Sequence, residues 1–231
     1  RDIVSMDIPS RLHQILNTLP PGVKPIAVSK THPFSVLMQA YDAGQRRFGE
    51  NKAQELLFKH SQMPPDTEWH FIGHLQTNKV KQIVPYVHLI HSVDSVKLLA
   101  AINRQAEKIN RVIPCLLQFY IATEKRKYGF SCDEGREFFE SQAFLSFRND
   151  LIRGDMGIAS VTADENLNRS EFRKLNAYYL DLRHQYFAQD PNFCEVSMGM
   201  SDDYPIAVAE GSTMIRVGSA LFGARNYPIQ N

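Results

Sequence analysis

One lysine follows an apolar stretch in a way that suits covalent chemistry. Lys30 comes directly after residues 25–29, a short apolar run that predicts a buried strand. An amine at the end of a buried strand is partly removed from water, which makes it a better nucleophile and able to form a Schiff base with an aldehyde. The same position also suits an exposed or ion-paired lysine at the start of a loop, so Lys30 alone leaves both interpretations open.

Two later segments place glycine and hydroxyl side chains where a phosphate group could bind. Ser197 and Met198 end one predicted strand, and Gly218 and Ser219 end the last one. Backbone N–H groups and hydroxyls at a helix N-terminus bind a phosphate dianion without lysine or arginine. Glycine and serine are also common turn residues. The repetition at two strand ends is what favours a phosphate site.

Four further polar residues accompany these segments. Arg216 lies on the last predicted strand, where its guanidinium needs a carboxylate or another acceptor, such as a ligand atom. Asn51 follows the second strand and is either a helix cap or a ligand contact. His70 and His74 are four residues apart, but on a strand and a loop without an acidic partner at motif spacing, so no metal site is predicted.

The elements that must position these residues alternate regularly along the chain. Short apolar runs and longer amphipathic stretches follow each other about eight times in 231 residues, with no series of hairpins. This alternation predicts parallel strands joined by helices, and the number of units favours a single-domain (β/α)8 TIM barrel, whose site lies at the carboxyl ends of the strands. A doubly wound open sheet is the alternative, although no GxGxxG follows the first strand. We expect one domain over residues 1–231, with residues 1–22 as a helical lead-in.

Two helix starts carry the pattern of a capping box, in which a hydroxyl residue is followed three positions later by glutamate. Ser131 with Glu134 predicts the start of one helix, and Thr162 with Glu165 predicts the start of a long one.

Composition excludes several other classes of protein. The chain has 26 Lys+Arg against 25 Asp+Glu, so a nucleic-acid partner bound through a basic field is not expected. No apolar run approaches the ~20 residues of a membrane span, and the first residues lack the apolar centre of a signal peptide. Three separated cysteines without a CxxC pair fit a reducing cytoplasmic compartment. The basic cluster at residues 125–127 indicates either a solvated loop or a docking point for an acidic partner.

Five stretches together carry a family resemblance, which extends from about residue 24 to residue 227. They are residues 27–31 (AVSKT), 48–55 (FGENKAQE), 69–79 (WHFIGHLQTNK), 197–203 (SMGMSDD) and 211–223 (GSTMIRVGSALFG). They resemble the pyridoxal phosphate homeostasis protein family, which is related to the N-terminal barrel of alanine racemase. The loop at residues 122–130 departs from the family pattern except at Lys127 and Gly129, and residues 155–158 are also less typical.

The resemblance implies a pyridoxal 5′-phosphate (PLP) cofactor and residues that bind it. Lys30 would hold PLP as an aldimine, Arg216 would face the pyridine nitrogen, and Asn51 would lie near the cofactor. The phosphate would be contacted by residues at the ends of the last two strands, namely Ser197, Met198, Gly218 and Ser219.

The implied arginine bears on whether the protein is an enzyme. A guanidinium offers no acceptor to a protonated ring nitrogen, so carbanion chemistry on PLP is less stabilised. Alanine racemase takes a second base from a tyrosine on a further β domain, and we expect no such domain after Gly223. We therefore expect a monomeric, non-catalytic PLP-binding protein that hands PLP to acceptor apoenzymes. An amino-acid racemase of the same fold and a barrel enzyme that binds a phosphate ligand without PLP are the alternatives.

Overall fold

The computed structural model describes residues 6–123 and 128–224, so the basic cluster at residues 125–127 lies outside the described residues. Eight parallel strands form a closed barrel in chain order. The strands are β1 (Lys24–Val28), β2 (Arg47–Glu50), β3 (Glu68–Phe71), β4 (Val87–Val93), β5 (Ile113–Gln118), β6 (Asp150–Met156), β7 (Glu195–Ser197) and β8 (Met214–Val217).

Helices precede the barrel and connect its strands. They are α1 (Ile8–Thr18), α2 (Phe34–Asp42), α3 (Ala53–Gln62), α4 (Val80–Ile83), α5 (Val96–Lys108), α6 (Cys132–Phe139), α7 (Gln142–Ser146), α8 (Glu165–Tyr186), α9 (Tyr204–Ala209) and α10 (Ser219–Phe222). A short 3-10 helix at Thr77–Lys79 leads into α4. In the described part of the chain, no helix combines the length and apolar character needed to cross a bilayer.

Closure of the sheet confirms the predicted (β/α)8 barrel. β1 pairs in parallel with β2 on one side and with β8 on the other, so the open-sheet alternative is wrong. Alternate strand residues point inward and fill the barrel interior, where the buried cluster consists of Ile26, Leu89, Leu116, Met156 and Met214. The opposite faces of the strands pack against the amphipathic helices in one larger apolar layer.

One of the two predicted capping boxes is present. The Ser131 hydroxyl accepts from the Glu134 N–H, and the Glu134 side chain accepts from the Ser131 N–H. The Thr162 prediction is wrong, because α8 begins at Glu165 and its cap is Asp164, whose carboxylate accepts from the first N–H groups of the helix. Aspartate is a strong helix cap, and here it lies closer to the helix than the threonine does.

Candidate functional site

A cavity of about 280 Å³ opens at the carboxyl ends of β1 and β8. Its lining includes four residues that the sequence singled out, namely Lys30, Arg216, Gly218 and Ser219. The other lining residues are Val28, Met200, Ser201, Asp202 and Gly223. The cavity thus joins the first and last strands, which are 186 positions apart at Lys30 and Arg216 but adjacent in the closed barrel.

Lys30 lies in a turn with an unusual backbone conformation. It follows the inward-facing Val28 of β1 by two residues and shares the cavity with it. The next residue, Thr31, has a φ of 67°, a left-handed conformation that is costly for a β-branched side chain. The Thr31 N–H donates to Glu55 Oε2 at 2.7 Å, which helps to hold this turn.

A buried cluster of charges fixes the residue before Lys30. Lys59 Nζ donates to the Ser29 carbonyl at 2.6 Å, to Glu50 Oε1 at 2.6 Å and to Glu55 Oε2 at 2.7 Å. The Ser29 hydroxyl also donates to Glu50 Oε1 at 2.7 Å. Burial raises the pKa of Glu50 to about 7, while Lys59 and the Ser29 hydroxyl act against this rise. The backbone on both sides of Lys30 is therefore anchored to α3.

Arg216 is a buried cation held by neutral acceptors. Its Nη1 donates to Ser197 Oγ at 2.6 Å, and its Nη2 donates to the Gly157 carbonyl at 3.0 Å. Burial lowers its pKa to about 10, so the guanidinium stays charged at neutral pH. Among the described residues, no carboxylate lies within ion-pair distance of it. Asp203 favours the charged form from beyond that distance, and an electron-rich ligand in the adjoining cavity would stabilise this buried charge further.

The start of α10 forms the side of the cavity that suits a phosphate. Ser201 Oγ accepts from the Gly218 N–H at 3.2 Å and from the Ala220 N–H at 3.1 Å. Because both bonds use the oxygen of Ser201, its hydroxyl proton remains for an acceptor in the cavity. Ser219 places a second hydroxyl on the same lining. Ser201 lies within the motif at residues 197–203 but was not among the predicted phosphate contacts.

The other three predicted residues do not line this cavity. Ser197 is fully buried beneath it and bonds to Arg216. Met198 is also fully buried, and its N–H donates to the Met214 carbonyl at 3.1 Å. Asn51 lies after β2 against Gly73, where a Cβ on the glycine would come within 2.8 Å of the Asn51 Cβ.

Two buried histidines extend the contact between Arg216 and Ser197 across the barrel interior. His91 Nδ1 lies 2.8 Å from Ser197 Oγ, and His91 Nε2 lies 2.8 Å from His70 Nδ1. Burial lowers the pKa of His70 to about 4 and that of His91 well below its ordinary value, so both rings are neutral. Sequence reasoning missed His91. Its spacing of two from the inward-facing Leu89 could have placed it inside the barrel.

Comparison with known proteins defines the class of this barrel first. The family model described as "Alanine racemase, N-terminal domain" matches residues 6–226. The solved alanine racemase of E. faecalis is 17% identical with a TM-score of 0.72, and the match covers 95% of this chain and 58% of that chain. At this identity the likeness concerns the fold alone.

Closer relatives define the family within that class. A pyridoxal phosphate homeostasis protein of Aquifex aeolicus is 38% identical over 205 residues, covering 88% of each protein. The solved structure of PipY from Synechococcus elongatus with PLP bound is 37% identical, with a TM-score of 0.85, and the match covers 94% of this chain and 100% of that chain. The chain belongs to the pyridoxal phosphate homeostasis protein family, as its motifs predicted.

Proposed function

We propose that this chain binds PLP in the cavity between β1 and β8 and serves intracellular PLP homeostasis without robust catalysis. The observation that carries the proposal is the buried Arg216, which lacks a carboxylate partner among the described residues and faces the same cavity as Lys30. The name of the Aquifex relative and the PLP bound to PipY support the choice of ligand.

The donor set of the cavity fits PLP group by group. Lys30 supplies an amine for the aldehyde carbon. The hydroxyls of Ser201 and Ser219 supply donors for the phosphate beside the start of α10, where Ser201 Oγ accepts from the Gly218 and Ala220 N–H groups. Arg216 supplies a donor to a ring nitrogen that carries no proton. The predicted roles of Gly218 and Ser219 at the phosphate stay part of this proposal, and Ser201 is added to them.

Ser197, Met198 and Asn51 take less direct roles in the proposal. Ser197 orients Arg216 through its hydroxyl. Met198 packs in the larger apolar layer between strands and helices, and its N–H is bonded to Met214 on β8. Asn51 contributes to the neighbouring strand ends rather than to the cavity lining.

The same arginine accounts for weak catalysis. PLP supplies an electron sink when its ring nitrogen is protonated, and a carboxylate partner maintains that protonation. Arg216 donates and cannot accept, so it favours the unprotonated ring. The residues of this site therefore bind and orient a cofactor more than they activate it.

Domain organisation, oligomeric state, partners and location follow from the same proposal. We propose that residues 1–231 form one PLP-binding domain that acts as a monomer and passes PLP to acceptor apoenzymes. We propose a cytoplasmic location, which is supported by three cysteines that are all free in the structure: Cys115, Cys132 and Cys194.

A titration with PLP tests the binding claim. The wild-type chain should develop the visible absorbance of a PLP Schiff base, and Lys30→Ala should not. Lys79→Ala, which changes an exposed lysine, is the matched control and should behave as the wild type. A wild type that stays colourless in excess PLP would contradict the proposal and favour a phosphate ligand of another kind.

A second measurement separates a carrier from a racemase. The PLP-loaded chain is incubated with L-alanine, L-serine or L-glutamate in heavy water, and deuterium at Cα is followed by mass spectrometry. The carrier role predicts exchange no faster than with free PLP at the same concentration. Exchange at enzyme-like rates that Lys30→Ala abolishes would identify a racemase.

A further inference from the structure

A second group of polar side chains lies at the opposite, amino-terminal end of the barrel. Glu68 and His70 stand two residues apart on β3, so they share one face of the strand. Glu68 Oε2 lies 3.9 Å from His70 Nε2 and 3.8 Å from His88 Nε2 on β4. One ligand atom from each of the three residues lies within 4.8 Å of the other two.

An irregularity in strand pairing brings His88 to this group. Trp69 pairs with Val87, but the next residue, His70, pairs with Leu89, so His88 is an extra residue in β4. Such a bulge re-aims a side chain that would otherwise point to the other face. The ring centroids of His70 and His88 are consequently 5.4 Å apart.

The inner histidine carries a nitrogen that lacks a partner in the described part of the chain. His70 is completely buried, and its Nδ1 is bonded to His91. Its Nε2 has no hydrogen-bond partner, since 3.9 Å to Glu68 is too long for one. Buried polar atoms without a partner are rare and need an explanation. This nitrogen is aimed at Glu68 and His88, so a cation between the three residues would satisfy it.

We propose that Glu68, His70 and His88 bind a divalent cation of the zinc type. Two imidazoles and one carboxylate form a zinc ligand set, whereas magnesium and calcium prefer oxygen ligands alone. Tetrahedral zinc places neighbouring ligand atoms about 3.3 Å apart, so the two distances from Glu68 Oε2, 3.9 and 3.8 Å, must shorten when the ion binds. The His88 side chain is 50% exposed, which gives the ion a route in and leaves the fourth position to water.

Nearby positive charges limit the affinity of the site. Arg47 Nε lies 3.3 Å from Glu68 Oε2, and Arg111 and Arg153 act on His88 from neighbouring strands and loops. The cation must compete with Arg47 for the carboxylate, so we expect weaker binding than that of a permanent structural zinc.

The contact between His70 and His91 supports a ligand role for His70. A histidine that binds a metal through one nitrogen usually donates the other N–H to a fixed acceptor. With the ion on Nε2, the His70 Nδ1–H would donate to His91 Nε2 at 2.8 Å. His91 Nδ1–H would then donate to Ser197 Oγ, which already accepts from Arg216. One tautomer of each histidine ring therefore satisfies both contacts, the one between His70 and His91 and the one between His91 and Ser197.

Calorimetric titration of the purified chain with zinc chloride tests this site. We expect one ion per chain and a loss of affinity of about ten-fold or more in His88→Gln and in Glu68→Gln. The matched control is His74→Gln, which changes another part-exposed histidine beside a carboxylate, Asp94 at 3.2 Å, and should bind as the wild type. Both altered positions of the site are part-exposed, so the variants should fold.

Thermal unfolding provides an independent readout. Zinc should raise the unfolding temperature of the wild type and of His74→Gln by mass action, but not that of His88→Gln. Without zinc, the three proteins should unfold at similar temperatures. Wild type that binds no zinc, His88→Gln that binds it equally well, or His74→Gln that loses as much affinity would each overturn the proposal.

Discussion

The Arg216 guanidinium donates a 2.6 Å hydrogen bond to the hydroxyl of Ser197 on the neighbouring strand. This bond holds a buried cation on the lining of the cavity that also contains Lys30, whereas Ser197 is fully buried and does not line that cavity. A serine that the sequence motif associates with phosphate is thus placed to position the arginine. Ser201, four residues later, lies on the cavity lining instead.

Substitutions of these two serines should differ in whether their effect on binding depends on the phosphate of the ligand. Ser201→Ala removes a cavity hydroxyl and the acceptor of the Gly218 and Ala220 N–H groups, and it should weaken PLP binding by about ten-fold, or ~1.4 kcal/mol. It should leave the binding of pyridoxal, which has no phosphate, unchanged. Ser197→Ala acts through Arg216 and should weaken both ligands to a similar degree. Dissociation constants from absorbance titrations of both ligands check this, and an equal loss for both ligands in Ser201→Ala would refute the assignment.

Lys59 should matter both for stability and for the reactivity of Lys30. Lys59→Met leaves Glu50 buried without its cation and releases the Ser29 carbonyl, so the free energy of unfolding should fall by about 3–5 kcal/mol. PLP should then load more slowly, because the turn that carries Lys30 has lost its anchor. Urea unfolding and the rate of absorbance change measure the two effects.

The control for that change is Lys52→Met, at the exposed N-terminal end of the same helix. It should alter stability by less than about 0.5 kcal/mol, as surface substitutions do. Equal stability of the two variants would show that the buried ion pairs contribute nothing.

The order of elements could be predicted from the sequence, because strands that are buried on both faces are short apolar runs and each is followed by an amphipathic helix. Lys30 and Arg216 could be placed for the same reason, since alternation along a strand decides which side chains point inward. The position of Ser201 on the cavity lining could not be predicted, because it depends on the path of the loop after β7. The bulge at His88 was equally hidden, since it exists only in the pairing of two strands.

A pH dependence should arise from Asp155, which is completely buried on β6 and has no partner for either carboxylate oxygen within the described residues. Burial raises its pKa well above the ordinary value. The folded state therefore holds this proton more tightly than the unfolded state. Stability from this group is full below about pH 4, the ordinary pKa, and is lost as pH rises towards the folded pKa.

Asp155→Asn cannot lose a proton, so it should remove that part of the pH dependence. Its stability relative to the wild type should increase between about pH 5 and about pH 8. Urea unfolding at both values measures the difference. A constant difference between Asp155→Asn and the wild type across this pH range would contradict the assignment.

Gly154 should be the least replaceable glycine of the barrel wall. Its φ is 147°, and a Cβ there would lie 1.7 Å from the Glu195 carbonyl oxygen on β7. Gly154→Ala should destabilise the fold by about 3 kcal/mol or more, measured by thermal or urea unfolding. Gly22→Ala has a φ of 88° but no atom within 4 Å of its Cβ, so it should cost only about 1–2 kcal/mol. Similar losses of stability in the two variants would show that the close approach of β7 does not add to the cost of a side chain at position 154.

The most direct test of the account is to locate the lysine that reacts with PLP. The chain is incubated with PLP, reduced with borohydride, digested and mapped by mass spectrometry. We expect one pyridoxyl group per chain, on Lys30, and none on the buried Lys59 or the ion-paired Lys24. A label on another lysine, a label spread over several lysines, or no label on Lys30 would contradict it.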